Sequence, residues 1–172
     1  MSKIFLIGYM GSGKSTIARL LAEKTGVSSF DSDNLIEKKT GMSVPEIFQQ
    51  KGEIYFRKLE HEMLKTIIAS PEPMIVSLGG GTPCYANNHE LLNGEGVISV
   101  YLKGSIATLS ERLSKSKTKR PLIDGLAENE LGEFIAKHLF DRSYYYNKAT
   151  YKVNIDGKSA ADIVEEIAAL LA

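Results

Sequence analysis

Gly8-Tyr9-Met10-Gly11-Ser12-Gly13-Lys14-Ser15-Thr16 carries the spacing G-x-x-x-x-G-K-[ST]. Such a loop suits a phosphate. Glycines have no Cβ, so the backbone can approach an anion closely and turn successive N–H groups inward. A helix starting at Lys14 adds its own N-terminal N–H groups and the positive end of its dipole. Lys14 supplies a cation for the β- and γ-phosphates, and Ser15 a hydroxyl for Mg²⁺. Gly11, Ser12, Gly13, Lys14, Ser15 and Thr16 are therefore the expected nucleotide contacts. A pattern with so few constrained positions also arises by chance, so context matters. Here the apolar run Ile4-Phe5-Leu6-Ile7 precedes the loop, and Ile17, Leu20 and Leu21 follow it at helical spacing. Strand, loop and helix in that order is the setting a nucleotide phosphate site requires.

Further groups could act beside it. In Asp31-Ser32-Asp33 the two carboxylates alternate, so in an extended segment they point the same way. One suits Mg²⁺ held through water. The other can take the proton of an attacking hydroxyl. The plainer alternative is a helix cap at Asp33 and a surface turn at Asp31, and the neighbouring phosphate loop favours chemistry. Arg57 and Glu60 lie three apart on a predicted helix. They are either a surface ion pair worth about 0.3–0.5 kcal/mol, or a guanidinium fork for a substrate carboxylate, oriented by Glu60. Spacing alone leaves both open. Gly79-Gly80-Gly81 follows an apolar strand and permits backbone contact with a ligand. Lys115, Lys117, Lys119 and Arg120 make a basic stretch, by default solvated, whose Arg120-Pro121 fits a lid over a transferred phosphate. Arg142 is a second anion clamp or a helix-end cation. His61, His89 and His138 have no ligand spacing and read as surface or packing residues, and Cys84 as an inert small residue near the mouth.

These groups need a scaffold. Strands are predicted at 3–7, 27–30, 74–78, 97–102 and 153–155, and helices at 14–25, 53–69, 105–114, 128–145 and 159–171. A short helix capped by Ser32 or Asp33 runs to Lys39, and Ser43-Val44-Pro45-Glu46 has capping-box spacing before another that runs to Lys51. Residues 87–92 form a further short helix. Strands alternating with helices imply a parallel sheet covered on both faces. Ligands of such sheets bind outside the carboxyl ends of the strands, which brings the loops after strands one, two and three to one mouth. The 172 residues suffice for one domain with a real core. Hydrophobic residues at 43% and charged residues at 24% describe a soluble globular chain. Net charge is zero, from 21 basic and 21 acidic residues, which argues against general nucleic-acid binding. One cysteine excludes an intramolecular disulfide and a cysteine metal cluster. No run reaches the roughly 18 apolar residues of a membrane span, and no signal-peptide pattern opens the chain, so a cytoplasmic location is expected.

In motif order and separation the chain resembles the shikimate kinase family, within the nucleoside-monophosphate-kinase-like P-loop kinases. The likeness spans nearly the whole length. It rests on the loop at 8–16, Phe30-Asp31-Ser32-Asp33, Gly52-Glu-x-x-Phe-Arg-x-x-Glu60, Gly79-Gly80-Gly81 and Arg120-Pro121-Leu122-Ile123. The resemblance implies a single α/β kinase domain over 1–172, with a five-stranded parallel sheet of order 2-3-1-4-5. A substrate-binding region lies around 31–61 and a lid around 115–125. It implies transfer of the ATP γ-phosphoryl to the 3-hydroxyl of shikimate in aromatic amino-acid biosynthesis, with Mg²⁺, by a monomer. By the same likeness, Asp33 binds the shikimate hydroxyls and is the base, and Asp31 joins Ser15 around Mg²⁺. Arg57 and Arg142 grip the carboxylate, while Gly79, Gly80 and Gly81 contact the ring substituents. Arg120 is the lid arginine and Arg112 stacks on adenine. Lys14, Asp33 and Arg120 form the catalytic set.

The tail departs from the family pattern. Arg-x-Pro-Leu-Tyr is replaced by Arg142-Ser143-Tyr144-Tyr145-Tyr146, and the following alanine comes one residue early, at Ala149. A one-residue slip there would rotate Arg142 by about 100° around its helix. Ile123 stands where leucine is common. Other kinases of this build, acting on gluconate or a nucleoside monophosphate, are the first alternative. The glycine run and the Phe-Arg-x-x-Glu helix favour a small polyol acid. A nucleotide-switched binding module is the second.

Overall fold

Parallel strands buried on both faces read as nearly continuous apolar runs, and Lys3-Ile4-Phe5-Leu6-Ile7 is such a run. It forms β1 (Lys3–Ile7), the middle of a five-stranded sheet of order β2-β3-β1-β4-β5. The other strands are β2 (Ser29–Asp31), β3 (Met74–Ser77), β4 (Val97–Lys103) and β5 (Tyr151–Asn154). Every pairing is parallel. The structure is a computed structural model that describes residues 2–116, 120 and 122–172. Its helices are α1 (Lys14–Thr25), α2 (Ser32–Thr40), α3 (Val44–Lys51), α4 (Glu53–Ala69), α5 (Asn88–Leu91), α6 (Ile106–Lys115), α7 (Glu128–Tyr146) and α8 (Ala160–Leu171).

Sheet order and strand count match the expectation. Three local readings change. β2 starts later and runs to Asp31, because Asp31 pairs with Ser77 on β3. β5 is shifted towards the N-terminus, with Tyr151 and Lys152 registered against Val100 and Tyr101. The cap of α2 is Asp31, not Ser32 or Asp33: its Oδ1 accepts from Asn34 N–H at 3.1 Å. The chain thus passes from strand to helix at Asp31. Asp33 lies in the first helical turn, and the alternation expected of an extended segment does not apply. A 3₁₀ turn, Thr82–Cys84, absent from the expectation, closes the glycine run, with Pro83 in its first turn.

Caps explain where the other helices begin. Ser43 and Glu46 form a reciprocal capping box ahead of α3, with Ser43 N–H to Glu46 at 2.7 Å and Glu46 N–H to Ser43 Oγ at 3.3 Å. Such a cap contributes about 1 kcal/mol. The main core packs around the sheet, with Phe5, Leu6, Ile75, Val76 and Val100 fully buried. A second, smaller cluster is separate. It joins Ile36 of α2, Ile47 of α3 and Phe56 of α4. Among the described residues no helix is long and apolar enough to cross a membrane.

Candidate active site

The loop between β1 and α1 needs its glycines. Gly8 has φ 150°, and a Cβ there would lie 2.9 Å from both Leu102 O and Ser12 Oγ. Gly13, the residue before α1, has φ 93°, and no side chain caps the helix. The first-turn N–H groups are left to an anion. Lys14 Nζ folds back on the loop, donating to Gly8 O at 2.7 Å and Tyr9 O at 3.1 Å. Burial, reinforced by the charge of Arg120, lowers its pKa to about 8.

A cavity of about 450 Å³ opens at the carboxyl ends of β1, β2 and β3. Gly11, Gly13, Lys14, Ser15, Thr16, Asp31 and Asp33 line it, together with Gly79, Gly80, Arg112 and Arg120. Ser12 is buried beneath the loop, and its Oγ has no partner among the described residues. Arg112 reaches across the loop to Gly11 O at 3.5 Å and Ser12 O at 3.4 Å. It also lines a neighbouring recess of about 220 Å³ with Ser12, Thr16 and Ala160. Of the expected lid, residues 117–119 and 121 lie outside the described residues. Arg120 is described: its Nε is buried without a partner among the described residues.

The two aspartates differ in their surroundings. Asp31 is engaged, accepting from Ser15 Oγ at 3.2 Å as well as capping α2. Ser77 Oγ stands 3.4 Å from Ser15 Oγ. These are hard oxygen donors beside a phosphate cradle, a set that fits Mg²⁺. No group of three His, Cys, Asp or Glu residues gathers among the described residues. Asp33 is not engaged. Its Oδ1 is buried with no hydrogen-bond partner among the described residues. Burial, then the charges of Asp31 and Glu60, raise its pKa to about 6, with Lys14 opposing.

The three glycines after β3 prove to be spaces for the site's own side chains. A Cβ at Gly79 would meet Asp33 Oδ1 and Glu60 Oε2 at 3.2 Å. One at Gly80 would meet Arg142 Nη1 at 3.1 Å, and one at Gly81 would meet Arg57 Nη1 at 2.7 Å. Glu60 is only 3% exposed, so its 2.6 Å bond from Arg57 is not a surface pair. Thr82 Oγ1 donates to the other Glu60 oxygen at 2.5 Å, and the Arg57 guanidinium lies over the Tyr85 ring at 4.1 Å. Arg57 does not line the phosphate cavity. It borders a separate cavity of about 670 Å³ beside α4, with Ile54, His61 and Tyr85, and meets the glycine turn at Gly81.

Arg142 is half-buried and turned towards Gly80, 5.7 Å over the Tyr9 ring, rather than exposed at a helix end. No carboxylate is paired with it among the described residues. The histidines have packing partners: His138 Nδ1 is 2.8 Å from Tyr9 Oη, His61 Nδ1 is 2.7 Å from Asn88 Oδ1, and His89 meets the Tyr145 ring edge-on. Burial pushes the Cys84 thiol up to about 11, which keeps it protonated and inert. Thr82, Tyr85 and Tyr146 went unassigned in the sequence reading. Only Tyr146 left a trace there, as the last residue of the departing tail motif.

An anion nest at the carboxyl edge of a parallel 2-3-1-4-5 sheet, flanked by two carboxylates, defines a P-loop kinase of the nucleoside monophosphate kinase type. Residues 10–172 match the shikimate kinase family. A shikimate kinase of Flavobacterium johnsoniae is 56% identical over 172 residues, covering 100% of both chains. The crystal structure of shikimate kinase from Bacteroides thetaiotaomicron superposes with a TM-score of 0.91 at 36% identity, over 99% of this chain and 98% of that one. Shikimate kinase from Acinetobacter baumannii, solved in complex with shikimate, gives 0.86 at 33% identity, over 99% and 93%. The chain belongs to the shikimate kinase family, and it is a kinase.

Proposed function

We propose that this chain transfers the γ-phosphoryl of ATP to the 3-hydroxyl of shikimate, giving shikimate 3-phosphate and ADP on the way to aromatic amino acids. The observation that carries the reading is the buried, unpartnered carboxylate oxygen of Asp33 beside Lys14 and Gly79. An unpaired acceptor atom in a cleft calls for a donor, and the acceptor's hydroxyl is one. Asp33, ionised at neutral pH, orients that hydroxyl and takes its proton as the oxygen attacks phosphorus. The bond from γ-phosphorus to the bridging oxygen breaks, and ADP leaves with its electron pair. Phosphoryl transfer is mostly positioning and charge stabilisation. Lys14 and Arg120 supply the positive charge, Lys14 by leaving the Gly8 and Tyr9 carbonyls for the phosphates. Ser15 and Asp31 would hold Mg²⁺, which would supply positive charge against the nucleotide phosphates.

Arg57, beside Gly81, and Arg142, beside Gly80, grip the acid's carboxylate, and the backbone of Gly79, Gly80 and Gly81 meets the ring. Arg112 stacks on adenine from the recess beside the loop. Residues 31–61 form the acceptor region, with an apolar cluster of their own, and 115–125 the lid that carries Arg120. We take the acting form to be a cytoplasmic monomer.

A coupled assay of ADP release across shikimate, gluconate, AMP and CMP tests the reading. Turnover with shikimate alone is expected. Turnover with another acceptor, or ADP release that needs none, overturns it. For the base, Asp33→Asn is expected to lower kcat by about 10²–10⁴. A near-normal kcat would remove the base role and leave the kinase intact.

A further inference from the structure

Tyr146 ends α7 and is fully buried. Its hydroxyl donates to Gly80 O at 2.5 Å and accepts from Arg142 Nη1 at 3.5 Å. Its ring is held by Tyr101 of β4, centroids 5.1 Å apart. One phenol therefore touches both the middle of the glycine turn and the arginine beside it. The peptide plane adds a consequence. In a trans peptide the carbonyl and the next N–H point in opposite directions, so turning Gly80 O onto Tyr146 turns the Gly81 N–H away from it. Among the described residues that N–H has no hydrogen-bond partner. Burial raises the Tyr146 pKa well above the ordinary tyrosine value, so the hydroxyl remains a donor at every working pH.

We propose that Tyr146 is a positioning residue for the acceptor's carboxylate: it fixes the Gly80–Gly81 peptide and aims Arg142 across it. The inference rests on the acceptor reading above and extends it to a residue that does not touch substrate. Phenylalanine in its place keeps the ring packing and removes the bridge. Gly80 O then loses its donor, and Arg142 keeps the Tyr9 ring alone.

The test is steady-state kinetics of Tyr146→Phe with two acceptors, shikimate and its neutral carboxamide. Loss of one buried hydrogen-bond bridge is expected to raise the KM for shikimate about 3- to 20-fold. KM for ATP is expected to stay within about twofold, and the penalty on the carboxamide to be smaller than that on shikimate, because Arg142 gains little from a neutral group. KM ratios do not depend on the fraction of folded protein, so a loss of stability in the variant leaves the readout intact. An unchanged KM for shikimate overturns the proposal. So does a parallel rise for ATP, or an equal penalty on both acceptors, because either marks a merely structural role. Failure of the acceptor reading itself looks different: the native chain then shows no shikimate-dependent turnover at all.

Discussion

Asp33 sits where an ionised carboxylate is costly, and its pH behaviour follows. Its folded pKa is raised from 3.8 to about 6, chiefly by burial. Folding therefore favours the protonated form. The stability this brings is complete below the ordinary value and is lost as pH rises through about 6. At pH 7.5 the ionised group opposes folding, by about 1–2 kcal/mol once solvent screening of a half-buried site is allowed for. Asp33→Asn is thus expected to melt about 2–6 °C above the native chain at pH 7.5, with the gap shrinking towards pH 4, while its turnover collapses. Calorimetry at the two pH values checks this, and a variant no more stable than the native chain contradicts it. In the same range, kcat/KM for the acid is expected to fall as pH drops through about 6. Arg57 makes a second prediction at this scale. A charged hydrogen bond contributes about 1.5–3 kcal/mol, so Arg57→Ala should raise the acid's KM roughly 10- to 150-fold. An unchanged KM would end the clamp role.

The turn after β3 is the element on which the proposed acceptor site depends. The three glycines leave room for side chains from three helices: Asp33 of α2 and Glu60 of α4 at Gly79, Arg142 of α7 at Gly80, and Arg57 of α4 at Gly81. Glu60 and Thr82 brace it from below, and Asn88 accepts His61 while donating to Thr82 O at 2.9 Å. Gly81→Ala would place a methyl 2.7 Å from Arg57 Nη1. The methyl meets the far end of a side chain rather than backbone, so the fold should survive, but the shifted guanidinium loosens its 2.6 Å hold on buried Glu60 and the melting temperature should fall by about 2–6 °C, about 1–2 kcal/mol. The displaced guanidinium should raise the acid's KM by at least about tenfold and leave that of ATP alone. A larger drop in melting temperature would show that the turn itself, rather than Arg57, resists the methyl. The spacing of three glycines announced close approach. That the approaching groups are mostly the protein's own was visible only once the helices were in place.

Among the described residues, two apolar clusters support two cavities, one at the phosphate loop and one beside α4, which meet at the glycine turn. On the proposed reading ATP and the acid take groups scattered from Lys14 to Arg142, so each ligand should stabilise the folded chain. At about a hundredfold saturation the gain is about 2.7 kcal/mol, or about 5–10 °C for a chain of this size. In a thermal-shift series, Arg142→Ala should lose most of the shift from shikimate and keep that from ATP. Equal loss of both would remove Arg142 from the acceptor side. What the sequence determined by itself was written in neighbours along the chain. β1 and α1 were read to the residue, the capping box at Ser43 was found, and so was the phosphate loop. Apolar periodicity, caps and a glycine-rich loop act within a few residues, so contiguous sequence carries them. The cap of α2 was placed at Ser32 or Asp33 rather than Asp31, since the cap depended on where β2 ended. The tertiary structure alone decided the burial of Glu60, the raised pKa of Asp33, the aim of Arg142 and the hold of Tyr146 on Gly80. Tyr146 and Gly80 stand 66 residues apart. A proton affinity or the direction of a guanidinium is set by whatever the fold brings against it, and no local pattern records that.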